Sequence, residues 1–388
     1  MGKFSEFPFT PKNSDMYKLC SRVYRWARHC WQLGLVCGAI AYCCLGMAAP
    51  SWSADLLLSA LAQGNAITDP NAILRYALPI DNPSVRKLQA ALEDISNHIR
   101  AKRWPPIAKD VREANYILKI QSDKILAGVS GDRQEQAQML LEDIKTEVEE
   151  LLGAVEAKDR DQVMTLRSQA LEKIGSLEQL MVQGFPYEVP DTYSSLPQLK
   201  GRATVEVLTT QGPLTVIVDG YSAPVNGGNF VDLVQRHFYD GLPFSRTEDN
   251  FVVQTGDPMG TEEGFIDPQT KKYRAIPLEV LVKGEAGPIY GETLEEAGLY
   301  LPELALPFNA FGAVALARPD TEPNGGSSQF FFFKFDSELT PPGFNLMDGR
   351  YSVFGYVVDG KETLDKLTDQ DKIISAQVIS GSENLQSP

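Results

Sequence analysis

At 388 residues the chain is long for one compact unit, and about 100 to 200 residues per domain leaves room for two. A content of 43% apolar and 22% charged residues supports a buried core and excludes wholesale disorder. The formal net charge of −15 opposes nucleic acid and anionic lipid surfaces and leaves basic or neutral partners.

The first segment carries Lys3, Lys12, Lys18, Arg22, Arg25 and Arg28, then an apolar run from Leu33 to Ala49, then Ala48-Ala49-Pro50-Ser51-Trp52-Ser53-Ala54. Basic, apolar and small residues in that order form a secretory signal, so residues 1–54 are read as a leader cleaved anywhere from Ala49 to Ala54. A retained membrane anchor is the other reading of the same run, and export follows from either. The leader has no Arg-Arg pair, which favours a general export route. All five cysteines, Cys20, Cys30, Cys37, Cys43 and Cys44, lie in this segment, so the body has no thiol chemistry and needs no disulfide. Losing its six basic and two acidic side chains takes the formal charge from −15 to −19.

From Asp55 to about Gln183 apolar residues recur at three- and four-residue steps. The spacing predicts helices over 55–64, 71–78, 83–103, 106–128, 132–157 and 159–182, with Asp81-Asn82-Pro83 and Trp104-Pro105-Pro106 each ending one and opening the next. Met139, Leu140, Ile144, Val148, Leu151, Leu152 and Val155 form one stripe, and long helices with short connections predict a bundle over 55–183. Glu142, Asp143, Glu147, Glu149 and Glu150 read as a solvated acidic face in preference to a metal or partner site.

Residues 184–199, with Phe185-Pro186-Tyr187 and Val189-Pro190, read as a proline-rich linker ordered by its aromatic rings. Beyond it the period falls to two: Ala203 to Thr209, a turn at Gln211-Gly212-Pro213, then Leu214 to Gly220 form a hairpin opening a β-rich unit over 200–388. A helical pattern from Asn229 to His237 turns Phe230, Leu233 and Val234 inward.

Three motifs follow in order. The first runs from Asn229-Phe230-Val231-Asp232-Leu233 to Phe244-Ser245-Arg246, and the second is Asn250-Phe251-Val252-Val253-Gln254-Thr255-Gly256-Asp257. The third joins Ala315-Leu316-Ala317-Arg318 and Asn324-Gly325-Gly326-Ser327-Ser328-Gln329-Phe330-Phe331 to Met347-Asp348-Gly349-Arg350-Tyr351. Together they resemble the cyclophilin family, and the match spans from about Lys200 to the end. The resemblance implies peptidyl-prolyl cis-trans isomerase activity on proline-containing segments. That chemistry transfers no proton and needs no cofactor or metal: amide resonance has to be broken against a barrier of about 18–20 kcal/mol. An apolar pocket for the proline ring and one cation facing the pyramidal amide nitrogen suffice.

By this resemblance Arg246 is the cation, Gln254 holds or assists it, and Phe251, Val252, Phe331 and Met347 line the pocket. Ala317 adds backbone contact, and Leu346 and Tyr351 stand on the rim, where family members commonly have tryptophan and histidine. An arbitrary arginine is better read as a surface salt bridge; its place before Phe251 and Gln254-Thr255-Gly256-Asp257 favours the functional role. Alternation in Phe330-Phe331-Phe332-Phe333 sends two rings to the core and two elsewhere. Thr247-Glu248-Asp249 puts two carboxylates beside Arg246, and an insertion at about Thr261 to Lys283 is placed to shade the pocket or bind a partner.

His98 and His237 are isolated, so neither a zinc site nor a histidine triad is expected. Asn324-Gly325-Gly326-Ser327 has no following lysine and reads as a turn. The whole resembles the large two-domain cyclophilins of the thylakoid lumen, and the short leader favours the cyanobacterial form, exported to the thylakoid lumen or the periplasm. The resemblance implies a helical bundle followed by a closed β-barrel, help in assembly or maintenance of photosystem II, and lumenal loops of its subunits as partners. Two readings stay open: an active isomerase, or a catalytically weak or inactive peptide-binding chaperone or scaffold whose pocket is covered by its own helical domain.

Overall fold

Asp69 opens the first helix, α1 (Pro70–Ala77), by accepting the Asn71 N–H at 3.0 Å, and proline follows where a missing N–H is no loss. The structure, a computed structural model, describes residues 67–248, 251–334 and 345–387. The expected leader, the expected helix at 55–64, Asn250 and Asp249 lie outside the described residues. These residues belong to one compact unit, Gln63–Pro388.

Asn82 opens α2 (Pro83–Ile99) in the same way, accepting the Val85 N–H at 3.1 Å. Helix α3 (Trp104–Ile120) begins two residues earlier than its prolines suggest, because Pro105 and Pro106 fit a first turn that has no upstream acceptors. It also ends eight residues early. Gln121 leaves helical geometry and Ser122 bonds back to the Leu118 carbonyl, so the remainder forms the short α4 (Ser122–Leu126). Helices α5 (Gln134–Ala157) and α6 (Arg160–Met181) meet at Lys158, which takes left-handed backbone geometry, and Asp159 caps α6.

Helix α2 packs on α3 and α6, α3 on α5, and α5 on α6, closing a four-helix ring. Val85, Leu88, Leu92 and Ile95 meet Ile107, Val111, Ile144, Val148 and Ile174 in its core. The α5 stripe starts differently from the sequence expectation. Met139 is exposed, and Ala137 and Leu141 hold the buried positions, four residues apart and in phase with Ile144 and Val148. Glu147 of the acidic face is also turned inward, where it takes Lys173 at 2.5 Å. No helix among the described residues is long and apolar enough to cross a membrane.

Strands β2 (Arg202–Thr209) and β3 (Gly212–Asp219) form the hairpin, alternating with Ala203, Val205, Val207, Leu214, Val216 and Val218 inside. An eight-stranded antiparallel sheet continues through β4 (Arg246–Glu248), β5 (Val252–Thr255), β8 (Ala313–Leu316), β9 (Phe330–Phe333), β10 (Val353–Asp359) and β11 (Ile373–Ser380). Its order is β11-β2-β3-β10-β8-β9-β5-β4. The barrel closes where the residues before β4 meet those entering β11: the Phe244 N–H reaches the Asp371 carbonyl and the Ile373 N–H the Leu242 carbonyl. Short pairs β1 (Gln198–Leu199) with β12 (Leu385–Gln386), and β6 (Glu279–Val280) with β7 (Ile289–Tyr290), flank it.

Helix α7 (Pro224–Gln235) plugs the barrel with Phe230, Leu233 and Val234. It starts five residues before the expected Asn229, and Gly227 and Gly228 let it lie against β1. A Cβ on Gly228 would sit 2.4 Å from the Pro197 carbonyl oxygen. The buried Glu279 carboxylate takes the Asn226 N–H at 2.8 Å at its start. In residues 184–199, Val189, Tyr193 and Leu196 pack on the barrel core, and Tyr193 lies 5.4 Å from the Tyr290 ring. Helix α1 also leaves the bundle to lay Ile73, Leu74 and Ala77 on an outer apolar layer with Phe308, Phe331 and Tyr356.

Candidate functional site

All four consecutive rings of β9 are buried, because both faces of this wall are covered. Phe330 and Phe332 point into the barrel, while Phe331 and Phe333 join the outer layer. Strand pairing then sets a row across the wall: Arg246 is the partner of Gln254, and Gln254 of Phe331. Directly opposed residues share a face. A cation, an amide and an aromatic ring therefore stand side by side on the outside of the barrel.

They line a cleft of about 950 Å³, which also takes in Phe251, Val252, Ala317, Leu346, Met347 and Tyr351. All nine residues expected at the site thus meet around one cavity. Phe331 lies parallel to Phe308 at 6.1 Å and edge-on to Tyr351 at 5.5 Å, forming an apolar floor. Phe251 is half-exposed and meets Phe333 edge-on. The loop carrying Leu346, Met347 and Tyr351 is tied down by polar groups beneath it. Asn345 accepts the Met347 N–H at 2.9 Å and donates to the Phe308 carbonyl, while Asp348 accepts the Phe308 N–H at 2.8 Å. Burial pushes the Asp348 carboxyl up to about 6 against the pull of the Phe308 and Asn345 N–H groups.

The polar side is more heavily engaged than the sequence suggests. Arg246 donates from Nε to Glu248 Oε1 at 2.8 Å and from Nη2 to the same oxygen. Gln254 donates to Gln329 at 2.8 Å, and Gln329 in turn to Asp257 at 3.0 Å, so Gln254 braces the wall and makes no bond to the guanidinium. The Tyr351 hydroxyl donates to Asp320 at 2.9 Å under the Arg318 guanidinium. Burial raises the pKa of that hydroxyl, and the bond to Asp320 raises it further.

Several lining residues were not singled out from sequence. Gln329 lay inside a quoted motif, whereas Asp320, Thr293 and Glu295 had no local signal. Glu263 and Tyr273 come from the insertion, which does border the cleft. Arg274 anchors it, donating to Asp232 at 2.6 Å and to Asn229 at 3.2 Å over the Phe265 ring. All lining residues fall between Arg246 and Tyr351, so no described residue of the bundle lines the cleft. Among the described residues no cluster of His, Cys, Asp or Glu could hold a metal ion.

Residues 69–182 match the family model for the peptidyl-prolyl cis-trans isomerase CYP38-like, PsbQ-like domain, and residues 204–381 that for cyclophilin-type peptidyl-prolyl cis-trans isomerases. A putative thylakoid lumen peptidyl-prolyl cis-trans isomerase of Synechocystis sp. is 70% identical over 91% of this chain and 94% of its own. The chloroplastic isomerase CYP38 of Arabidopsis thaliana is 46% identical over 85% of this chain and 78% of its own. The chloroplastic CYP37 of the same plant is 32% identical over 81% and 70%.

Proposed function

We propose that this chain, which belongs to the two-domain cyclophilin-type peptidyl-prolyl cis-trans isomerases of the thylakoid lumen, works on proline-containing segments through the cleft beside Arg246. It is an exported lumenal isomerase. Residues 55–183 are taken as its helical module and 200–388 as its catalytic one.

The proline ring lies on Phe331, walled by Phe251, Val252 and Met347, with Leu346 at the rim and the Ala317 backbone alongside the peptide. Twisting the bond removes amide conjugation, and the nitrogen regains a lone pair that a fixed donor can stabilise. Arg246 supplies that donor. Gln254 keeps the wall in register through Gln329. The observation that carries this reading is the cross-strand row of Arg246, Gln254 and Phe331, which turns cation and apolar floor toward the same cavity.

The test is a protease-coupled prolyl peptide assay on the purified protein. Arg246→Ala should slow catalysis about 100-fold, the usual effect of removing one transition-state donor. Absence of catalysis in the parent protein, or full activity in Arg246→Ala, would overturn the reading. A second reading, a peptide-binding chaperone or scaffold, is favoured by the engagement of Arg246 with Glu248 and of Tyr351 with Asp320. Peptide binding without catalysis would select it.

The client class proposed is lumen-exposed segments of photosystem II subunits. Support comes from the PsbQ-like match of the helical half and from the acidic charge, which favours basic or neutral segments. Crosslinking to purified photosystem II subunits tests it.

A further inference from the structure

Glu248 follows Arg246 by two residues on β4, at the edge of the sheet, so both side chains stand on the face that bears the cleft. Its partner across the strand pair is Val252, a cleft residue. One carboxylate oxygen of Glu248 receives both Nε–H and an Nη2–H of Arg246. Among the described residues nothing accepts from Nη1. The guanidinium therefore has one edge turned to a carboxylate and one edge open.

A guanidinium has five N–H donors, and a carboxylate that takes two of them also offsets much of the positive charge that strengthens the rest. The pair adds little to the fold, since both side chains are about half exposed, where ion pairs are weak. What it does fix is the state of Arg246 before a peptide arrives.

We propose that Glu248 is a positioning residue that competes with the peptide for Arg246 and holds catalysis below the rate the bare arginine would give. This rests on the isomerase reading of the cleft. Substrate engages the guanidinium by displacing the Glu248 carboxylate, which swings into solvent.

The test compares the parent protein, Glu248→Gln, Arg246→Ala and the double variant in the protease-coupled assay at low and high salt. Glu248→Gln should raise kcat/KM about three- to fivefold at low salt, in keeping with an exposed pair. Salt screens the pair, so the parent should climb toward the variant as ionic strength rises while Glu248→Gln stays level. In the Arg246→Ala background the Glu248 change should have no effect, which a purely structural role would not produce. The Arg246 Nε–H resonance should also move in Glu248→Gln. If the parent catalyses and Glu248→Gln is equal or slower, this inference falls and the isomerase reading stands. If neither protein catalyses, the isomerase reading falls and this one with it.

Discussion

Arg202 Nη2 lies 3.0 Å from Oδ2 of the fully buried Asp219 and also donates to the Leu74 carbonyl. One guanidinium thus joins the start of β2, the end of β3 and helix α1. Among the described residues the Asp219 carboxylate keeps only the Tyr221 N–H at 3.0 Å and the Ser222 hydroxyl when that cation is removed. A buried carboxylate stripped of its counter-ion is strongly destabilising. Arg202→Ala should lower the unfolding free energy by about 3 kcal/mol, read by urea titration. A loss below about 1 kcal/mol would mean that the junction does not depend on this contact.

Glu178 gives the helical bundle a pH dependence. Burial pushes its carboxyl up to about 7, outweighing the pull of Arg86 at 3.2 Å, and its second oxygen has no hydrogen-bond partner. The folded state therefore holds this proton more tightly than the unfolded chain, where the group titrates near 4.5. The stabilisation is fully present below that value and is lost as pH rises through about 7, an effect on the order of 3 kcal/mol. Glu178→Gln should flatten this slope between pH 5 and about pH 8 when its urea midpoints are set against the parent's.

Gly228 tests the packing of α7 on β1. A methyl group there would meet a backbone carbonyl oxygen at 2.4 Å, which no side-chain rotation relieves. Gly228→Ala should cost roughly 2 to 4 kcal/mol, whereas a mere helix-propensity effect would stabilise slightly. A higher thermal midpoint for the variant would contradict the close approach.

Residue patterns carried the bundle, the hairpin and the meeting of nine residues around one cleft, because periodicity and ordered motifs are local signals. What they did not carry depends on partners distant in sequence. The early start of α7 at Pro224 depends on Gly227 and Gly228 lying against β1, a contact that local sequence does not encode. Met139 and Leu141 are both apolar and two residues apart, and which of them is buried depends on the helices that α5 packs against. Gln254 was assigned to Arg246 by the family resemblance, but Gln329, just before β9, offers the nearer acceptor. Glu248 was legible beside Arg246 in Thr247-Glu248-Asp249, whereas Asp320 owes its bond to Tyr351 to a side-chain direction that spacing does not encode.

The rim of the cleft separates binding from catalysis. Leu346 is 72% exposed, so a larger ring there meets no core packing and should leave stability within about 0.5 kcal/mol. Leu346→Trp adds apolar surface over the proline floor and should tighten prolyl peptide binding about fivefold, measured by fluorescence titration of the new indole. Tyr351→Phe is expected to act differently. Its hydroxyl is committed to Asp320 and its ring to Phe331, so removing the oxygen should change kcat/KM less than about threefold while the floor persists. A tenfold loss in Tyr351→Phe would place that hydroxyl on the substrate and require the Asp320 bond to break during turnover.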